Sequence, residues 1–139
     1  MSLEIEIILR LFLATVLGAS VGYQREKAHK PAGLRTHSLI AVGSALFTVV
    51  SIFGFSGNGV DMSRVAAGVV AGVGFIGAGL IFHSARDDLL KGLTTAASIW
   101  VTAAIGLAAG SGMYLISFVV TVIAVVLLVV PKIRREDKK

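Results

Sequence analysis

The fold is decided by RVAAGVVAGVGFIGAGLIF, residues 64–82. After Arg64 this stretch carries no charge, yet Gly68, Gly72, Gly74, Gly77 and Gly79 run through it. In a soluble helix each interior glycine costs about 1 kcal/mol relative to alanine. In a bilayer the backbone has no water to turn to, so an apolar run of this length is forced into a helix. Small residues then let helix backbones approach closely. The stretch reads as a transmembrane helix made to be packed against.

Gly72-Val73-Gly74-Phe75-Ile76-Gly77 also satisfies G-x-G-x-x-G. A dinucleotide fingerprint must follow a strand, open a helix and meet an acid about 20 residues on. Here the glycines lie mid-span with no loop before them to cradle a phosphate. Asp87 and Asp88 stand at a suitable distance, but in the next loop. Packing is the reading, not nucleotide binding.

Working outward, the 139 residues are 55% hydrophobic and 15% charged, against about 25% charged in a soluble domain. The net charge of +5 is not a nucleic-acid footprint, because the basic residues cluster in short segments between apolar runs. Cysteine is absent, so no disulfide framework or thiol site is available. The first residues carry Glu4 and Glu6 rather than a basic signal-peptide region, so a retained first span is expected.

Uncharged runs give the organisation. Spans are expected at about residues 5–23, 36–55 and 64–82. From Gly92 to Pro131 no charge occurs, roughly 60 Å of helix. A hydrocarbon core is about 30 Å thick, so this run must cross twice, at about residues 93–109 and 113–130, turning at Gly110-Ser111-Gly112. We expect an all-α integral membrane protein of about five transmembrane helices, with a membrane domain over residues 1–131 and a basic cytoplasmic tail, KIRREDKK, over 132–139. With five spans the basic segments around Arg25, Lys27, Lys30 and Arg35, around Arg86 and Lys91, and in the tail share one side. The positive-inside rule puts that side in the cytoplasm and the N-terminus outside.

Small-residue ladders mark spans one, three and four: Gly18 and Gly22; Gly68 and Gly72; Ala96, Ala103, Gly106 and Gly110. These spans are expected to form the packed centre, within one subunit or between two. The fifth, dense in Val, Ile and Leu, is expected to face lipid. No internal repeat is visible, so an inverted-repeat transporter is not supported.

Several polar groups stand out. Arg10 lies about one and a half turns into the first span with Glu6 four residues earlier on the same face. One reading is a snorkelling pair near the outer surface; the other is an outer polar cluster of Glu6, Arg10, Asp61 and Arg64. Asp61 can also cap the third helix. The loop QREKAHKPAGLRTH, residues 24–37, holds Arg25, Glu26, Arg35 and Thr36. Its basic residues suit anionic lipid headgroups. That does not explain why Glu26 sits among them, or why the Pro31-Ala32-Gly33 turn is so compact. Thr94, Thr95 and Ser98 open the fourth span with hydroxyls that bond backbone or neighbouring helices. His37 and His83 read as boundary residues. No nucleophile–base pair or carboxylate dyad emerges, so neither an enzyme nor a cofactor is expected.

Three blocks, at residues 22–37, 61–82 and 91–114, together resemble the MgtC/SapB family over nearly the whole chain. The resemblance implies a multi-pass bacterial inner-membrane protein, associated with magnesium limitation, acid stress and survival inside host cells. It also implies action on other membrane proteins, including the F-type ATP synthase, rather than Mg²⁺ carriage. Many family members add a soluble C-terminal domain, and this chain resembles the membrane module alone. Family motif positions fall on Arg25, Glu26, Arg35, Thr36, Asp61, Arg64, Thr94 and Thr95. Gln24 replaces an acid common in the family and Gly68 a common polar residue, both reducing intramembrane polarity.

The leading expectation is therefore a regulatory module that binds a membrane-protein partner through small-residue helix faces, with lipids around it and a homodimer as its state. The alternative is a transporter or channel for Mg²⁺ or another small ion. Mg²⁺ wants carboxylates and retained waters. The outer side offers Asp61, the metal-ligand candidate, with Glu4 and Glu6.

Overall fold

A computed structural model describes residues 2–55, 57–84 and 89–131. Five helices follow one another: α1 (Leu3–Lys27), α2 (Leu34–Phe53), α3 (Ser63–Ser84), α4 (Leu89–Gly110) and α5 (Tyr114–Val129). Helices α1 to α4 are long and apolar enough to cross a bilayer. With 16 residues, α5 reaches about 24 Å, a little short of the hydrocarbon core. The chain is an all-helical, multi-pass membrane protein. The tail over 132–139, Arg86 and the pair Asp87 and Asp88 lie outside the described residues.

One boundary differs from the sequence reading in a way that matters. Helix α1 runs past Tyr23 to Lys27, so Arg25 and Glu26 are helical rather than part of a loop. It stops because His29 turns left-handed at φ 54. The His29 N–H then bonds the Glu26 carbonyl, and the Lys30 N–H bonds that of Arg25, both at 3.0 Å. This is a Schellman closure with histidine where glycine is usual.

The packed centre is also different. It was expected from spans one, three and four, but it is built by α1, α2 and α4, with α5 alongside α1 and α4. The reason lies in α2, whose Ala41, Ala45, Ser44 and Thr48 are too short to keep neighbours away. A Cβ on Gly18 would fall 2.6 Å from that of Ala41, and one on Gly22 equally close to the Leu34 Cα. A Cβ on Gly106 would land on the Ala41 carbonyl oxygen, and one on Gly110 would meet the Ala45 carbonyl at 2.6 Å. Ala14, Ala41, Ala45 and Ala109 are fully buried at this crossing. Helices this close gain dispersion over long stretches of backbone, the main cohesive term where lipid removes the hydrophobic drive.

Helix α3 packs mainly along α4 and leaves its other sides open. Only 6% of its span is buried, against 56% for α4. Gly77 packs on Ala96, its would-be Cβ at 3.4 Å, while a Cβ on Gly68, Gly72, Gly74 or Gly79 would meet no described residue within 4 Å. The ladder that decided the fold is mostly not used inside one chain.

Candidate functional site

Three features carry the chemistry: a clamp at one end of the bundle, a buried network at the other, and the open side of α3.

The clamp is built on Arg10, 9% exposed. Its Nη1 donates to the Gly110 carbonyl at 2.8 Å, Nε donates to the Tyr114 hydroxyl at 3.2 Å, and Nη2 pairs with Glu6 Oε1. The Tyr114 hydroxyl donates to the same Glu6 oxygen at 3.3 Å. The Phe53 ring lies 5.5 Å from the guanidinium carbon. Arg10 thus places its charge on the C-terminal carbonyls of α4, where the helix dipole favours a cation. Among the described residues, Arg10–Glu6 is the ion pair.

Asp61 and Arg64 do not join this clamp. The expected four-residue cluster resolves into two separate groups. Asp61 Oδ1 accepts from the Ser63 N–H at 2.9 Å and from its hydroxyl at 2.6 Å, capping α3. Those two bonds hold the Asp61 carboxyl below the usual carboxylate range. Both Asp61 and Arg64 are exposed. One turn back, Ser51 donates to the Met62 carbonyl at 2.8 Å and ties the end of α2 to the start of α3.

At the opposite end Arg25 is 2% exposed, so it is not part of a solvated basic loop. Its Nη2 donates to Thr95 Oγ1 at 2.7 Å, and its Nε is buried without a hydrogen-bond partner. His37, expected at a boundary, is fully buried. Its ring joins the Gly33 carbonyl at Nδ1 to the Ser98 hydroxyl at Nε2, each at 3.0 Å. Ser98 in turn bonds the Thr95 carbonyl at 2.7 Å. One network thereby ties α1, α2 and α4. It continues along the α2–α4 seam, where Ser44 donates to the Ala103 carbonyl at 2.7 Å. Arg35 is exposed; Thr36 and Thr94 are half-buried.

Glu26 has a definite job. Its Oε2 accepts the Leu34 N–H at 2.8 Å, capping α2, and a Cβ on Gly33 would sit 2.5 Å from that oxygen. An acid among basic residues and a compact Pro-Ala-Gly turn are one device: the carboxylate needs Gly33 to reach the helix start.

Ser98 bonds backbone and a neighbouring helix, as expected of the α4 hydroxyls, whereas His37, Tyr114 and the Gly110 carbonyl were missed as partners. A signal existed for His37. His37, Ser44, Thr48 and Ser51 on α2, and Thr95, Ser98 and Thr102 on α4, recur at helical spacing as polar stripes in apolar helices. Among the described residues no group of three His, Asp or Glu side chains is placed to hold a metal ion.

The open side of α3 borders an apolar groove against α2 of about 620 Å³. Leu39, Gly43 and Phe47 line one wall; Gly68, Gly72 and Ile76 line the other.

These features define a polytopic helical membrane protein whose polar groups lock its own helices. The chain belongs to the MgtC family, whose model matches residues 11–135. It is 55% identical over 115 residues to the Escherichia coli K12 protein named "Putative magnesium transporter YhiD", covering 78% of this chain and 53% of that one. Protein SapB of Bacillus subtilis is 43% identical over 78% of the chain and 49% of its own length. Protein MgtC of Brucella abortus is 44% identical over 78% and 44%. The chain thus spans about half the length of these curated relatives. No solved structure matches it.

Proposed function

We propose that this chain is a MgtC-type module of the bacterial inner membrane that serves adaptation to magnesium limitation by docking against other membrane proteins. The F-type ATP synthase is among the partners its family resemblance implies. The observation that carries this reading is the contrast between α4 and α3. Every glycine of α4 that meets α2 is consumed by backbone contact, whereas a Cβ at four glycines of α3 would meet no described residue within 4 Å. Glycine in a spanning helix lowers its intrinsic stability, and close approach of a partner backbone is what offsets that.

The rival reading, Mg²⁺ transport, is favoured by the name of the Escherichia coli relative. Against it stands the interior polar seam. It carries Arg25 buried at one end and Arg10 at the other, and its hydroxyls are bonded to helix carbonyls. The buried charge of Arg25 opposes a divalent cation at its end of that line, while Arg10 is already paired with Glu6. The deciding experiment is Mg²⁺ flux into sealed proteoliposomes holding an indicator, with protein-free vesicles as control. We expect no flux above the control. Saturable flux that Asp61→Asn abolishes would establish transport instead.

A further inference from the structure

We propose that the α2–α3 groove is the seat of a second copy of this chain, with the two α3 helices packed in parallel across a two-fold axis along the membrane normal. The inference rests on reading α3 as a docking face and names what docks there first.

Helix α3 carries Gly68-Val69-Val70-Ala71-Gly72-Val73, a G-x-x-x-G repeat with a β-branched residue after each glycine. Gly68, Gly72 and Gly79 fall on one stripe of the helix, and a Cβ on any of them would meet no described residue within 4 Å. Val69 and Val73 line the same groove, and Gly43 on the facing wall is equally bare. From Val65 to Ile76 the groove runs about 16 Å, three turns of helix. A small-residue ridge opposite a groove of this length suits a helix that brings its own backbone close.

Charge complementarity at the start of α3 suits a second copy. Two copies inserted in one direction can share a two-fold contact only with like ends together, so an end bearing one sign of charge would repel itself. The start of α3 bears one of each. Asp61 and Arg64 stand three residues apart, both exposed, with Arg64 immediately before the first groove-lining position, Val65. In the parallel pair Asp61 of each copy faces Arg64 of the other. An acyl chain would make no use of this pattern or of bared backbone.

The chain has no cysteine, so single introduced thiols report contact cleanly. In liposomes under mild oxidation, Gly72→Cys is expected to cross-link between copies. Val122→Cys, on the exposed face of α5, is expected to stay at the level of random collision. Energy transfer between labelled copies, followed on dilution with lipid, gives the strength. Gly72→Leu should weaken pairing by about tenfold or more, while Gly74→Leu, off the stripe, leaves it unchanged. Arg64→Asp should weaken it and the double exchange Asp61→Arg, Arg64→Asp restore it. Because no described atom lies within 4 Å of a Cβ at position 72, the Gly72→Leu protein should melt no lower than wild type when dilute. The proposal is overturned if Gly72→Cys cross-links no more than Val122→Cys. Pairing indifferent to Gly72→Leu, or a monomer at every lipid ratio with lipid or a different protein held in the groove, would also overturn it. Flux and pairing fail separately: a dimeric transporter would sink the function above and leave this inference standing.

Discussion

His29 occupies a backbone conformation, φ 54, that costs an L-residue about 1–2 kcal/mol and glycine almost nothing. Its side chain is exposed. His29→Gly should therefore stabilise the fold by about 0.5–1 kcal/mol, read as a raised thermal midpoint in detergent. The turn after α4 has the same Schellman bonds, from Gly112 N–H to the Ala109 carbonyl and from Met113 N–H to that of Ala108, with glycine in place at φ 87. There Gly112→Ala should destabilise by about 1–2 kcal/mol, and its Cβ would also crowd Arg10 Nη2 at 3.2 Å. Arg10 makes its contacts through the geometry of its fork, so Arg10→Lys should lower the midpoint by several degrees. Asp61 follows the sign of its depressed pKa. Its capping contribution is in place above the ordinary carboxylate range and is lost as pH falls through the folded value. The difference in midpoint between wild type and Asp61→Ala should therefore hold at neutral pH and shrink below about pH 4.

At the scale of the helix, glycines with the same sequence signature have opposite roles. Gly106→Ala drives a methyl onto the Ala41 carbonyl, which is backbone and cannot rotate away, so α2 and α4 must separate. We expect a loss of about 3 kcal/mol or more, measured by resistance to denaturant in micelles. Gly72→Ala meets nothing and should gain about 0.5–1 kcal/mol from helix propensity alone in a dilute monomer. The sequence distinguishes these two poorly. Uncharged runs and the basic segments between them marked all five helices, because bilayer thickness and desolvation act on composition alone. Which ladder meets which depends on the receiving face. That face, on α2, is made of Ala41, Ser44 and Ala45, residues common in any membrane helix. Arg10 with Glu6 was legible as a pair four residues apart. Their partner Tyr114 was not, because it comes from a helix 104 residues away. His37 looked like a boundary residue because its partner Ser98 lies 61 residues on, and only the fold brings α4 to it.

Across the whole molecule the contacts are uneven, and that unevenness predicts dynamics. Helices α1, α2 and α4 are joined by backbone-close crossings and by the Arg25–Thr95 and His37–Ser98 bonds. Helix α3 has α4 on one side and, toward α2, an open groove bridged near its start by Ser51 and the Met62 carbonyl. Its connection back to α2 passes through Gly57 and Gly59, both at positive φ, where a side chain would stiffen the chain. Local opening costs least where few apolar contacts must be broken. In detergent at high dilution, amides of α3 should exchange with solvent at least about tenfold faster than those of α2 and α4. Raising the protein-to-detergent ratio should slow α3 selectively if a second copy covers its glycine stripe, and Gly72→Leu should remove that protection while leaving α2 and α4 as they were. Equal exchange in α3 and α4 at every concentration would mean that α3 is anchored as firmly as the rest, and that its bare glycines are not the sign of a missing neighbour.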